Sequence, residues 1–354
     1  MYKMLVNTLL PSTPYILLTL TLSLHFLNVI SLCTLNTLLV VFVLVFLLGP
    51  LAYKYSYQFQ QSTIFLNFVA YPSQSILKYP SRCGLTAVSH FHLRTDDDVT
   101  LGVWYVAPEN ESRDWGEGKD HSSLLGDGRD VVIYHHGNAG NRSASHRIEL
   151  YKILRRQFHV IAFDYRDYGD SSRVTLSERG VVNDSMFVFK WVRERATGNV
   201  FIWGHSLGTA ISTHMLALAA AENLRPAGLI LESPFNNLRD EMKLYPFIML
   251  LQFLPWFSYT VLDAVQENKL LFKTDEHINN VDCPILILHA KDDMIVPFKL
   301  GRKLYQSAKE KRMPTQGEIH FHPFDKGEQY GHTNIWRAPH LSDLIKKFVG
   351  DCAK

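Results

Sequence analysis

Val200-Phe-Ile-Trp-Gly-His-Ser-Leu-Gly-Thr-Ala210, VFIWGHSLGTA, is the stretch on which the fold turns. Its first four residues form a continuous apolar run, as a strand buried on both faces requires, and from Leu207 the residue choice turns helical. Between them stands Gly204-His-Ser-Leu-Gly208, a G-x-S-x-G pattern that sets a serine on a sharp turn from strand to helix. A serine that merely capped the helix would explain Ser206 but neither flanking glycine.

Outward from this stretch the same alternation repeats. VVIYHH (131–136) and VIAFDY (160–165) precede it, and GLILES (228–233), PILILHA (284–290) and GEIHFHPF (317–324) follow it as short apolar runs. Segments of helical character separate them, at 146–156, 177–195, 207–223 and 299–311, with a last one at 341–349. Runs buried on both faces and alternating with helices predict an α/β fold with a mainly parallel sheet and helices on both faces. Val88–Leu93 and Val99–Val106 alternate around Thr95-Asp-Asp-Asp98 and predict a hairpin that supplies an antiparallel edge. Residues 109–130 read as a polar surface loop. Residues 236–272 break the rhythm: they are too long for a connection and contain YPFIMLLQFLPWFSYTVL. Such a segment is either a set of helices packed into the core or an apolar cap over a lipid-binding cleft, and its Phe, Leu and Trp content favours the cap.

The amino-terminal part is of another kind. Between Lys3 and Lys54 no charged residue occurs, and residues 29–48 are long enough for a helix to cross hydrocarbon. The apolar stretch outruns the core of a cleavable signal. A membrane anchor over 1–55, a linker over 56–85 and a catalytic domain over 86–354 with the cap at 236–272 are therefore expected. Whether residues 15–32 form a second span is open, since His25, Asn28 and Asn36 would be costly against lipid. The net charge of +2 argues against a nucleic-acid partner. Cys33, Cys83, Cys283 and Cys352 form no CxxC pair and predict no metal site, with a bridge between Cys83 and Cys352 left open. Sequons stand at Asn110, Asn141 and Asn183, and only the first lies in an expected loop.

A serine hydroxyl attacks only when a base takes its proton and a third group orients that base. In sheets of this kind the partners follow the serine in the order carboxylate, then histidine, from loops at the carboxyl ends of strands. Asp293 and Asp292 follow PILILHA at once, Asp293 being the first choice, and Glu232 closing GLILES is a third. Of 16 histidines, His332 in Tyr330-Gly-His-Thr-Asn334 lies beyond the last strand and before the last helix, where the base belongs. His320 and His322 alternate within a strand and read as structural. Oxyanion donors are expected from the backbone N–H of Leu207 and from the loop HHGNAGN (135–141), where Asn138 is the candidate. No cofactor and no metal is called for.

In the order YHHGNAGN, FDYRDYGDS, WGHSLGT, LILESPF, LILHAKDDMIVPF and GHTN the chain resembles the serine hydrolases of the α/β-hydrolase fold. Phrases such as TLGVW, LSERG and PFKLGRKLY make it most similar to the membrane-bound lysophosphatidylserine and monoacylglycerol lipases, subfamily twelve of that group, over roughly 99–349. The resemblance implies Ser206 as nucleophile, Asp293 as acid and His332 as base. It also implies a lysophospholipid or monoacylglycerol substrate and an endoplasmic-reticulum membrane protein whose hydrolase domain faces the lumen. A palmitoyl-protein thioesterase uses the same chemistry, and a silent membrane-tethered interaction protein would keep the fold without it. Asp167 stands where relatives commonly carry glycine in D-Y-R-G-x-G, so an unusual backbone is expected there, and a glycan on Asn141 is expected to be absent because it would crowd the cleft.

Overall fold

The computed structural model describes residues 12–109, 121–246, 248 and 251–352. Among these, eight strands form one sheet: β1 (Val88–Arg94), β2 (Thr100–Val106), β3 (Val131–His135), β4 (His159–Phe163), β5 (Val200–His205), β6 (Gly228–Glu232), β7 (Ile285–Ala290) and β8 (Ile319–Phe324). Their order is β1-β2-β4-β3-β5-β6-β7-β8. The predicted hairpin pairs β1 with β2 antiparallel, with Arg94 opposite Thr100, and β2 lies antiparallel to β4. All other neighbours run parallel, which puts the carboxyl ends of β3, β5, β6, β7 and β8 on one rim. Every residue of β3 to β7 is buried, the reason their sequences read as unbroken apolar runs.

The helices that matter here are α1 (Thr13–Phe26), α2 (Leu32–Tyr55), α3 (Ser145–Leu154), α4 (Glu178–Arg193), α5 (Leu207–Ala221), α6 (Leu238–Leu244), α7 (Phe298–Lys311) and α8 (Leu341–Cys352). On one face of the sheet Trp104, Tyr134, Trp203 and Leu286 pack with Ile148 and Tyr151 of α3 and with Ile345 and Phe348 of α8. The intervening residues, Val103, Ile133, Ile202 and Ile287 among them, point to the other face and are buried as well. With both faces covered, only the rims and edges of the sheet meet solvent or ligand.

The chain divides into two compact units, one made of the described parts of 1–64 and 242–271, the other of 65–241 and 272–352. In the first, α1 has 14 residues, roughly 21 Å at 1.5 Å per residue, too short for a hydrocarbon core of about 30 Å. The 24-residue α2 is long and apolar enough to cross a membrane, and hardly any of it is buried against protein. It begins at Ser31, whose Oγ accepts the Thr34 N–H, and runs beyond the expected 29–48 as far as Tyr55. Pro50 has no N–H to offer the preceding turn, and the helix widens into a π turn over Leu44–Leu48 rather than stopping. At its end Lys54 lies 3.2 Å from the centre of the Tyr259 ring and 3.9 Å from the Glu267 carboxylate, and Asn268 donates to Gln60 Oε1 at 2.8 Å. Residues 242–271 thus share a unit with the apolar amino-terminal helices, whereas 236–241 and Phe272 belong with the hydrolase sheet.

The second unit takes in 65–85, the larger part of the expected 56–85 linker. Leu77 and Leu85 are buried, Trp104 Nε1 donates to Leu77 O at 2.8 Å, and Phe65 O accepts from Tyr168 Oη and from the Ala139 N–H. Residues 65–85 have no periodic pattern because short irregular turns, not an element, carry them into the core. All four cysteines are free thiols, Cys83 and Cys352 included. Asn110 lies outside the described residues. Asn183 is exposed, whereas Asn141 is 1% exposed, donates to Pro72 O at 2.7 Å and accepts from Ser143, which leaves no room for a glycan.

Candidate active site

β5 ends at His205 and α5 begins at Leu207, so Ser206 alone makes the turn, at φ 53° and ψ −120°. A non-glycine residue holds such a backbone only where its surroundings impose it. Here the Ser206 N–H is bound to Glu232 O at 3.0 Å, and both flanking glycines sit at contact points. A Cβ on Gly204 would lie 2.6 Å from Gly208 O, and one on Gly208 would strike His135 O. The G-x-S-x-G spacing is therefore dictated by how closely β3, β5 and α5 approach one another.

Asp293 follows β7 in a tight turn in which its Oδ1 accepts the N–H groups of Ile295 and Val296, each at 2.9 Å. This leaves Oδ2 for His332 Nδ1 at 2.8 Å. Asp293 is 5% exposed. Burial alone would raise its pKa, but the neighbouring His332 and the hydrogen bonds from His289 and His332 outweigh it and hold the carboxyl well below its ordinary range. An ionised acceptor at Nδ1 makes that nitrogen the protonated one and leaves the lone pair on His332 Nε2, where it can accept a proton.

The two other carboxylates considered from sequence have different work. Asp292 Oδ2 accepts the Gly331 N–H at 3.1 Å, and so holds the backbone next to His332 rather than its ring. Glu232 accepts Trp203 Nε1–H at 2.8 Å and is buried, which pushes its pKa up to about 7. His320 and His322 lie on β8, His320 beside Glu318 and His322 against His340, apart from this constellation.

Sequence reasoning missed three residues. His205, the variable residue before Ser206, donates from Nε2 to His332 O at 2.9 Å, with ring centres 5.0 Å apart. Burial, then the neighbouring His332 and His146, hold its ring well below the ordinary histidine range, so it stays a neutral donor. The loop of His332 is thus pinned through its ring, its own carbonyl and the preceding N–H. The second is Arg147 on α3, 2% exposed, which donates to Asn141 O at 2.6 Å and to Ala139 O at 3.0 Å. With its carbonyls held toward Arg147, the 137–141 loop passes against the elbow, where a Cβ on Gly137 would lie 3.1 Å from Ser206 Cβ. The N–H groups of Ala139 and Gly140 are engaged by Phe65 O and Val69 O. Third, Arg142 is fully buried between Asp164 and Asp170 just after this loop. A buried arginine beside a glycine loop is the only trace these contacts leave in the sequence. Asp167, at φ 61°, adopts the left-handed backbone expected of it and accepts from Asn67 Nδ2 at 2.7 Å.

The profile of the alpha/beta hydrolase fold matches residues 130–298. Lysophosphatidylserine lipase ABHD12 of Danio rerio is 38% identical over 321 residues, covering 87% of this chain and 82% of its own. The Rattus norvegicus protein of the same name is 41% identical over 296 residues, 82% of this chain and 74% of its own. Protein ABHD12B of Homo sapiens is 35% identical, over 81% of this chain and 79% of its own. Among solved structures, an α/β hydrolase of Vibrio vulnificus superposes with a TM-score of 0.58 at 16% identity, covering 85% of this chain and 94% of its own. An esterase of Pyrococcus furiosus gives 0.56 at 16% identity, over 78% and 94%. The structural neighbours establish the fold, and the sequence relatives, at this identity and coverage, establish that the chain belongs to the ABHD12 family of α/β hydrolases.

Proposed function

We propose that this chain is a membrane-anchored serine hydrolase that removes the single acyl chain of a lysophospholipid, lysophosphatidylserine or a relative of it, and of monoacylglycerols. The observation that carries the proposal is His332, bound to Asp293 at 2.8 Å, with its ring 5.0 Å from that of His205, the residue preceding Ser206. The curated relatives named as lysophosphatidylserine lipases support the substrate class.

In this mechanism His332 Nε2 takes the Ser206 hydroxyl proton as Oγ bonds to the ester carbonyl carbon. The negative charge on the carbonyl oxygen is met by the backbone N–H groups of Leu207 and Asn138. Collapse breaks the bond to the glycerol oxygen, which leaves with the proton held by His332. Water, giving its proton to His332, then attacks the acyl-Ser206 ester, and the fatty acid departs as Oγ regains its proton. Asp293 stays ionised throughout and stabilises the imidazolium. The chemistry requires no cofactor.

The long exposed apolar helix α2 supports membrane attachment. The family resemblance supports the endoplasmic reticulum, with the hydrolase unit in the lumen. Fluorophosphonate labelling of the full chain and of Ser206→Ala tests the nucleophile: labelling is lost in the variant, and persistence would sink the assignment. A panel of lysophosphatidylserine, monoacylglycerol and an S-palmitoyl peptide ranks substrates, and preference for the thioester would overturn the lipid-esterase reading.

A further inference from the structure

At the sheet edge farthest from β8, three ligand-type side chains converge away from the Ser206 constellation. His90 and His92 lie two residues apart on β1 and so share one face. Both reach the same carboxylate oxygen: His90 Nε2 is 2.7 Å and His92 Nε2 3.4 Å from Asp170 Oδ2. The imidazole planes stand at 78° with centres 4.9 Å apart, and the three ligand atoms all lie within 4.8 Å of one another. Donor atoms around a tetrahedral zinc, with bonds of about 2.0–2.1 Å, are about 3.3 Å apart. The His92 contact therefore already matches, the His90 contact must open by about half an ångström, and the two imidazole nitrogens, within 4.8 Å of each other, must come to that spacing.

Two features make this a built site rather than a chance contact. Opposite His92 across the ladder stands Gly102, and a Cβ there would collide with the Asp170 carboxylate and lie 2.7 Å from Arg142 Nη1, so the glycine leaves the slot that Asp170 occupies. Asp170 also divides its oxygens: Arg142 Nη1 holds Oδ1 at 2.6 Å, while Nη2 reaches Oδ2 only at 3.2 Å. Since Arg142 also faces the fully buried Asp164, one guanidinium serves two carboxylates, which leaves negative charge at the more accessible Asp170.

We propose that His90, His92 and Asp170 form a binding site for a divalent transition cation of the zinc class. Two imidazoles and one carboxylate suit zinc, cobalt, nickel or copper and disfavour the all-oxygen cations calcium and magnesium. The His92 side chain is 40% exposed, so solvent reaches the cluster and can supply a fourth ligand, and the ion is exchangeable rather than a structural staple. The proton that His90 Nε2 shares with Asp170 moves to Nδ1 when the ring ligates, a change of tautomer only.

A second cluster, Glu178, His214 and His277, is less suited. Its imidazoles are stacked 10° from parallel at 3.8 Å, so their lone pairs cannot converge on one ion, and Glu178 is already bound to His214 and to the Phe272 N–H.

Cobalt(II) titration of the untagged full chain in detergent, followed by its visible absorption and by zinc displacement, tests the site. One cobalt per chain is expected, with affinity reduced at least about tenfold in His92→Ala and again in His90→Ala, and unchanged within about twofold in His214→Ala. Thermal melts of the cation-free variants confirm that each is folded, and His92→Ala, altering an exposed side chain, serves as the decisive variant. Absence of stoichiometric binding at about 100 μM, binding indifferent to His92→Ala, or binding lost in His214→Ala would each overturn the proposal.

Discussion

Two adjacent aspartates at the end of β7 take different partners. Asp293 gives Oδ1 to its own turn and Oδ2 to His332 Nδ1, whereas Asp292 meets the backbone of Gly331 in that loop. Asp293→Asn can keep the turn and the spacing, yet it removes the charge that faces the imidazolium and allows the wrong tautomer. The expected result is a fall in kcat of about 10⁴-fold with KM little changed. Asp292→Asn retains an acceptor for the Gly331 N–H, so its kcat is expected to fall by no more than about tenfold. Steady-state kinetics on the two variants check this, and equal losses would mean that the roles are not divided. Position in the chain already made Asp293 the first choice and pointed to His332, but the separate partners of the two aspartates are not visible from spacing. Both aspartates follow PILILHA, and the choice between them depends on a loop that arrives 39 positions later in the chain.

β5 and β6 are tied by more than their ladder. Trp203 on β5 donates its indole N–H to Glu232 at the end of β6, and the Glu232 carbonyl receives the N–H of Ser206, so this pair of strands sets the elbow. The buried Glu232 carboxyl, pushed up to about 7, titrates in the physiological range. The raised pKa fixes the sign: between its ordinary value of about 4.5 and 7 the folded chain binds more protons than the unfolded one, so stability falls as pH rises through that window and stays reduced above it. Glu232→Gln, which mimics the neutral form and keeps an acceptor for Trp203, is expected to leave Tm unchanged near pH 4. At pH 8 it is expected to raise stability by up to about 3 kcal/mol. Thermal unfolding at the two pH values decides it, and a loss of Tm at pH 8 would reverse the inference. Elements of this kind were the most readable part of the sequence, because β3 to β7 are buried along their whole length and each needs an unbroken apolar run. The stretch 65–85 was not readable. Its order comes from single contacts such as Trp104 to Leu77, and no local period announces a contact made to a residue 27 positions away. The same holds for His205, Arg147 and the β1 histidines, whose partners are brought in by the sheet.

The candidate membrane helix and the candidate catalytic residues fall in different units. The hydrolase unit carries Ser206, Asp293 and His332, while α2 and the 242–271 insertion share the other, joined through Lys54, Tyr259 and Glu267. If α2 is the anchor, its retention in a bilayer must come from apolar side chains that face no protein. Val40 and Leu44, exposed by 59% and 52% and one turn apart, are of that kind. An arginine at the centre of a span costs about 2.5–3.5 kcal/mol, so Val40→Arg with Leu44→Arg removes on the order of 5–7 kcal/mol of insertion energy. The native chain is expected to remain with membranes through alkaline carbonate extraction and the double variant to be released. The 14-residue α1 is too short to compensate as a span of its own. Orientation is read in the same preparation: in sealed microsomes a lumenal hydrolase unit resists added protease until detergent opens the vesicles. Digestion without detergent would place that unit on the cytoplasmic side. Retention of the double variant would instead show that the membrane is held elsewhere on the chain, with the 242–271 insertion, which shares a unit with the base of α2, as the next surface to test.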